Sequence, residues 1–233
     1  MKNIPIIFDE NPISRAYLKL FLKENLVSNQ IIYLGNNFIF PSKIMLLFKF
    51  HKRNFYALEL LKRKGIDAFL SQIENFFSLE RNFIRDMFNF KNLYEFKSMD
   101  YIKSPSINSN LLIEKIKNSN HDAYLISGKQ ILKQVLKTEK KFIHVHPAYL
   151  PEIRGADGSL HSINKNNQYG STAFFVNEGI DTGEIIYREK YEFKKLKLEN
   201  LKNFNVNDLY RLWFSFVDPI IRICCARPAK FSI

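Results

Sequence analysis

Four short, largely apolar segments constrain the fold more than any other feature of this chain: Ile4 to Phe8, Ile31 to Leu34, Asp122-Ala-Tyr-Leu-Ile-Ser-Gly128 and Phe142 to Val145. Each is short enough for a strand and closes on a turn-forming or polar segment, the pattern of a strand buried on both faces. Segments of helical periodicity separate them. Leu18, Phe21, Leu22 and Leu26 repeat at helical spacing after the first run. The second run ends at Gly35 and two Asn, and residues 43 to 64 then read as one basic helix for which Gly65 suits the C-cap.

The remaining segments fill out the pattern. Residues 66 to 90, rich in Phe, predict one or two helices, Leu93 to Phe96 a short strand, Asn110 to Lys117 a helix and Lys129 to Lys137 another. Thr172 to Val176 and Glu184 to Tyr191 predict two more strands. Val206 to Cys225 reads as a long amphipathic helix that Pro219 should kink or break. Its apolar face (Leu209, Leu212, Trp213, Phe216) must be buried on this domain or on a second copy, which leaves a homodimer open. Alternation of strands and helices over the first 145 residues predicts βαβ units. The expected fold is α/β, a mostly parallel, twisted, Rossmann-like sheet flanked by helices. A catalytic unit would span residues 1–192 and a short, mainly helical extension residues 193–233.

The bulk properties narrow the setting. With 233 residues, 46% of them hydrophobic, the chain is neither disordered nor fibrous. Its net charge of +12 would suit an anionic partner, but the lysines are scattered, without a block of five or more like charges, as in a solvated surface. The adjacent Cys224 and Cys225 are poorly placed for a disulfide with each other and read as small core residues in a reducing compartment. The N-terminal apolar run is too short for a signal peptide, and no run of about 18 apolar residues could span a membrane. A cytoplasmic location is expected, with no membrane partner.

In open parallel sheets, ligands bind beyond the carboxyl ends of the strands. Three strand ends here carry chemistry-bearing residues: Ser127-Gly128, His144-Val-His146-Pro147, and the turn Asn177-Glu-Gly-Ile-Asp-Thr-Gly183. Strand alternation puts His144 and His146 on one side of their strand. Two histidines and a glycine-flanked Asp181 suit acyl transfer to an amine. That reaction needs a donor for the oxyanion, a group that steers protons and a carboxylate that orients or deprotonates. A zinc site built from the same three residues is conceivable but lacks a further ligand at typical spacing, so no metal is expected.

The run His144-Val-His-Pro-Ala-Tyr-Leu-Pro-Glu-Ile-Arg-Gly155, followed by Glu178-Gly-Ile-Asp-Thr-Gly-Glu-Ile-Ile186, resembles the core of the folate-dependent formyltransferase family over roughly residues 120–192. The resemblance implies N10-formyltetrahydrofolate as donor. His146 falls on the family's catalytic histidine and Asp181 on its catalytic aspartate. Ser127, Gly128, Ile131 and Leu132, with Glu178 and Ile180, fall where the family holds the pterin, largely through backbone atoms. Arg154-Gly155 marks a loop with a partly structural role.

The sequence departs from the family at His144, where relatives carry Asn. A histidine can also donate an N–H, from a larger ring whose charge depends on pH. The change leaves open a working variant, an altered substrate, or a non-catalytic relative that binds folate or a nucleotide. His161 stands where relatives often carry an aromatic residue.

The first strand-to-helix turn, Phe8-Asp-Glu-Asn-Pro-Ile-Ser-Arg15, has no glycine, which argues against a loop cradling a ribonucleotide phosphate. The methionyl-tRNA formyltransferases carry a C-terminal β-domain for tRNA, whereas about 40 mostly helical residues follow the matched core here. Nucleic acid is therefore not the expected partner. By elimination, the expected acceptor is a nucleotide-linked amino sugar of surface polysaccharide, such as lipopolysaccharide.

Overall fold

The computed structural model describes residues 4–27, 29–35, 42–192 and 194–226. The start of the first apolar run's flank (Met1 to Asn3), the Asn pair after Gly35, and residues 227–233 of the C-terminal extension lie outside the described residues. The sheet strands are β1 (Ile6–Phe8), β2 (Ile31–Leu34), β3 (Met99–Ile102), β4 (Ala123–Ile126), β5 (Lys141–His146), β6 (Gln168–Phe175) and β7 (Ile185–Glu192). They form one sheet in the order β3-β2-β1-β4-β5-β6-β7. β1, β2, β3, β4 and β5 run parallel, and β6 and β7 add an antiparallel flank. The fold is thus the α/β, mostly parallel sheet that the apolar runs predict. The strand order reverses direction at β1, between β2 and β4, which opens a crevice at their carboxyl ends.

The helices are α1 (Pro12–Lys23), α2 (Lys43–Arg53), α3 (Phe55–Leu60), α4 (Ile66–Phe76), α5 (Phe83–Met87), α6 (Asn110–Lys117), α7 (Gly158–Asn166), α8 (Val206–Leu212) and α9 (Asp218–Cys225). Alternate strand residues feed two core layers. Ile6, Phe8, Ile31, Tyr33, Leu125, Ile143 and Val145 pack with Tyr17 and Phe21 of α1, Phe69 and Ile73 of α4 and Ile220 and Ile221 of α9. Ile7, Ile32, Tyr124, Ile126 and Phe142 pack on the other side with Leu112 and Ile116 of α6. The C-terminal apolar face is covered by this same chain, with Leu212 and Phe216 buried in the larger layer and Leu209 and Trp213 packed against it. Both cysteines are buried there, and neither is in a disulfide.

Four expectations need correction. The helix expected over residues 43–64 breaks at Asn54, whose amide bonds the Phe50 carbonyl at 3.0 Å and Glu10 Oε1 at 2.9 Å, competing with the helix's own ladder. Gly65 does take a left-handed φ of 87°, but it opens α4 instead of closing a long helix. Leu93 to Phe96 is not a strand: Phe90–Glu95 is a 3-10 turn, and the strand comes later, at β3. The helix expected over Lys129 to Lys137 is only a 3-10 turn, Gln134–Thr138. The preceding residues are held open by side chains of the loop after β3. Asn108 donates to the Ile131 carbonyl (2.9 Å) and accepts from Lys133 N (2.7 Å), while Gln130 donates to the Pro105 carbonyl (2.7 Å).

The C-terminal helix is divided as Pro219 predicts, though not by a simple kink. α8 passes into a π turn, Trp213–Val217, before α9 starts with Pro219 in its first turn. There the missing N–H and the ring cost the helix least.

Candidate active site

The site forms where β5 ends against the loop that follows it and the turn between β6 and β7. His146 pairs with Thr172 across the β5–β6 ladder, and His144 pairs with Phe174, whose ring lies edge-on to the imidazole at 5.8 Å between centroids. Thr172 Oγ1 donates to the Ala148 carbonyl (2.8 Å) and accepts from Leu150 N (3.0 Å), holding the 147–151 loop against β6. At Gly170 a side chain would run into the Tyr149 backbone, so that close approach needs glycine.

His146 is 3% exposed. Its Nε2 lies 3.0 Å from the Ile153 carbonyl, and its Nδ1 lies 3.4 Å from Asp181 Oδ2. A carbonyl only accepts, so Nε2 bears the hydrogen and Nδ1 turns a lone pair toward the carboxylate. One proton between Nδ1 and Asp181 would bridge two acceptors. Burial pushes the imidazole below the usual histidine range, while the Asp181 charge opposes that shift. Asp181 sits in the turn with a left-handed φ of 51° and accepts the Gly155 N–H at 2.8 Å. Gly155 itself has a φ of 86°. Asn177 Oδ1 closes the turn by accepting from Gly179 N (3.1 Å) and Thr182 Oγ1 (2.8 Å).

A cavity of about 180 Å³ opens beside this pair. His144 and Asp181 are in its wall, with Gly128, Ile131 and Leu132 on one side and Glu178, Gly179 and Ile180 on the other. Ile131 and Ile180, 68% and 67% exposed, form apolar lips. Among the residues expected to bind the donor, Ser127 is the one set apart. It is buried, donates to the Ile7 carbonyl (3.1 Å) and accepts from Ser14 Oγ (2.7 Å), so it ties β4 to the start of α1. His146 stands behind Asp181 and does not line the cavity. His161 is exposed on α7.

Two features of the site carry no motif. Gly158 at the start of α7 lies so close to His146 that a Cβ there would stand 2.7 Å from Nε2. Arg222 of α9 brings Nη1 to 3.3 Å from His144 Nε2 and donates to the Val145 carbonyl at 2.6 Å. Burial and the Arg222 charge hold the His144 imidazole well below the usual histidine range. The one sequence signal for Arg222 was its i,i+4 spacing from Asp218, which it meets at 2.7 Å. Among the described residues, no group of three or more His, Cys, Asp or Glu side chains is arranged to hold a metal ion. No helix of theirs is long and apolar enough to cross a membrane.

A second cavity of about 520 Å³ adjoins the first through Lys129 and Gln130. It lies over the β1–α1 turn and is lined also by Asp9, Glu10, Asn11, Arg53, Pro105 and Ser106. Side chains, not backbone amides, shape that turn. Asn11 caps α1 by accepting from Ser14 N (3.0 Å) and donates to the Asp9 carbonyl (2.8 Å), while the fully buried Glu10 binds Arg15 through two bonds of 2.7 Å.

Residues 90–203 match a family model described as "Formyl transferase". Methionyl-tRNA formyltransferase of Endomicrobium trichonymphae is 36% identical over 83 residues, which cover 34% of this chain and 27% of that protein. The enzyme of the same name from Fusobacterium nucleatum subsp. nucleatum is 30% identical over 111 residues, 45% of this chain and 36% of that protein. The matched part thus spans about a third or less of these curated relatives. Among solved structures, phosphoribosylglycinamide formyltransferase from Streptococcus pneumoniae TIGR4 aligns with a TM-score of 0.49 at 15% identity, over 94% of this chain and 93% of that one. A sugar N-formyltransferase from Shewanella sp FDAARGOS_354 aligns with a TM-score of 0.46 at 15% identity, over 94% and 69%. The matched stretch runs from the turn before β3 through both strands of the site, and over these residues the chain is similar to the formyltransferase family that its sequence resembles.

Proposed function

We propose that this chain transfers a formyl group from N10-formyltetrahydrofolate to the primary amine of a nucleotide-linked amino sugar, a step in building surface polysaccharide. The observation that carries this reading is Asp181, held 3.4 Å from His146 Nδ1, in the wall of a cavity that His144 also lines. When bound, the folate supplies the activated formyl carbon. Residues Gly128, Ile131, Leu132, Glu178 and Ile180 would hold it, between two loops rich in backbone donors and two exposed isoleucines that suit a flat heterocycle. His146 Nδ1 and Asp181 would share the proton released by the attacking amine and give it up to the folate nitrogen from which the formyl carbon departs. His144 donates to the formyl oxygen as negative charge builds there. The adjoining polar cavity, with Arg53 and Lys129 in its wall, is of a size for a small acceptor carrying phosphate. In this reading residues 1–192 form the catalytic unit, and residues 193–233 the extension, of which Leu212, Phe216 and Ile220 complete its core.

A second acceptor, methionyl-tRNA, is favoured by the names of the curated relatives and by the net charge of +12. The test is incubation with N10-formyltetrahydrofolate and a panel of nucleotide-linked amino sugars, methionyl-tRNA and glycinamide ribonucleotide, following folate absorbance. Turnover with an amino sugar and its loss in His146→Ala and Asp181→Ala are expected. Turnover confined to methionyl-tRNA, with binding that weakens steeply in salt, would replace the sugar reading. No turnover with any amine would leave a non-catalytic, folate-binding relative.

A further inference from the structure

The side chain of Arg222 meets His144 in a way that decides which ring nitrogen carries the proton. Its Nη1 lies 3.3 Å from His144 Nε2. A guanidinium has only donors, so the nitrogen facing it must present a lone pair. A neutral His144 therefore carries its hydrogen on Nδ1. That atom is buried without a hydrogen-bond partner, in a ring that forms part of the wall shared with Asp181.

We infer that Arg222 is a positioning residue, which fixes His144 in the Nδ1–H tautomer so that an uncharged N–H is offered to the formyl oxygen. An uncharged N–H is also what an amide side chain would offer at this position. The inference rests on the proposed formyl transfer.

Arg222 is itself held in place. Its Nε donates to Asp218 Oδ2 at 2.7 Å, and Nη1 also donates to the Val145 carbonyl at 2.6 Å. Asp218, 1% exposed, accepts from Ser159 Oγ at 3.0 Å, and Ser159 accepts from Trp213 Nε1 at 2.9 Å. The chain Trp213–Ser159–Asp218–Arg222 thus ties α7 and the π turn to the ring on β5. The state of the ring agrees with this. Burial, the Arg222 charge and His146 all disfavour the imidazolium; the nearby Ile126 carbonyl acts the other way and least, and Nδ1 keeps no hydrogen-bond partner.

The direct test needs no substitution. Nitrogen-15 NMR of the full chain labelled in histidine distinguishes the two neutral tautomers and the imidazolium. His144 should appear as the neutral Nδ1–H form at neutral pH; the Nε2–H form or the imidazolium would overturn the inference. The second arm is a cycle of Arg222→Met with His144→Asn. In the His144 background, Arg222→Met should lower kcat by about 10- to 100-fold with little change in KM for the donor. In the His144→Asn background that loss should vanish, because an amide has no tautomer to set. An equal loss in both backgrounds would show that Arg222 acts elsewhere, and the inference would fall. Asp218→Asn is added if Arg222→Met does not fold, since it removes the stranded charge. If the wild type formylates no amine, the proposed function fails and takes the donor role with it. The tautomer readout still decides whether Arg222 sets the ring.

Discussion

The backbone N–H of Gly155 donates to Oδ2 of Asp181, the same oxygen that faces His146 Nδ1. A residue of the loop after β5 thereby orients the carboxylate of a turn 26 positions later. Gly155 reaches that geometry at a φ of 86°, with open space where a side chain would stand. Gly155→Ala should therefore cost about 1–2 kcal/mol through backbone conformation alone. It should lower kcat by freeing Asp181 to rotate. Urea unfolding and steady-state rates on one preparation check both, and an unchanged kcat would mean that the Gly155 bond does not orient the carboxylate.

Gly158→Ala should act through His146. The new methyl would press on Nε2 from 2.7 Å, so the imidazole or the start of α7 must shift. Displacements of about 1 Å at a reacting group cost on the order of 100-fold. The expected result is a loss of that size in kcat with the circular dichroism spectrum retained.

His144→Asn restores an amide donor and should keep kcat within about tenfold of the wild type, whereas His144→Ala should lose about 100- to 1,000-fold, the scale of one missing oxyanion donor. Equal losses for both variants would give His144 a role that no amide can fill.

Both site histidines are held below the ordinary histidine range in the folded protein, chiefly by burial. Arg222 from α9 and His146 face His144; Asp181 from the turn and Asp218 and Arg222 from α9 act on His146. The unfolded chain takes up these protons near pH ~6.5, while the folded chain resists them. Their contribution to stability is thus fully present above about 6.5 and is lost as pH falls below it toward the folded-state values. Urea midpoints measured from about pH 8 down to 5 should decline in the lower half of that range, and less steeply in His144→Asn. A flat or rising profile would mean that the imidazoles are not held neutral.

The parallel strands were legible because burial on both faces leaves an unbroken apolar run, as in Ile31 to Leu34 and Tyr124 to Ile126. β3 was not, because it lies at the sheet edge: its Met-Asp-Tyr-Ile is half-exposed over its first three residues, and Asp100 reaches out to Lys115. Leu93, by contrast, is apolar and buried within a 3-10 turn, so its burial mimicked a strand. The pairing of His146 with Asp181 followed from motif order. The pairing of Arg222 with His144 did not, since 78 positions separate them and a single arginine on a helix looks like any solvated charge. Likewise Gly158 has no signature of its own; what fixes it is the imidazole pressing on it from β5.

The π turn over Trp213–Val217 sets the rotational phase of everything that follows it. Such a turn closes on i→i+5 bonds and so holds one more residue than an α-helical turn, and each residue advances an α-helix by about 100°. Asp218 and Arg222 point at the site only because that extra residue has been counted in. Deleting any one position between 213 and 217 would allow an unbroken helix with nearly the same composition, yet it would swing the arginine about a quarter-turn around the axis. The site's geometry is therefore written partly as a number of residues, which no single side-chain substitution in this turn would reveal.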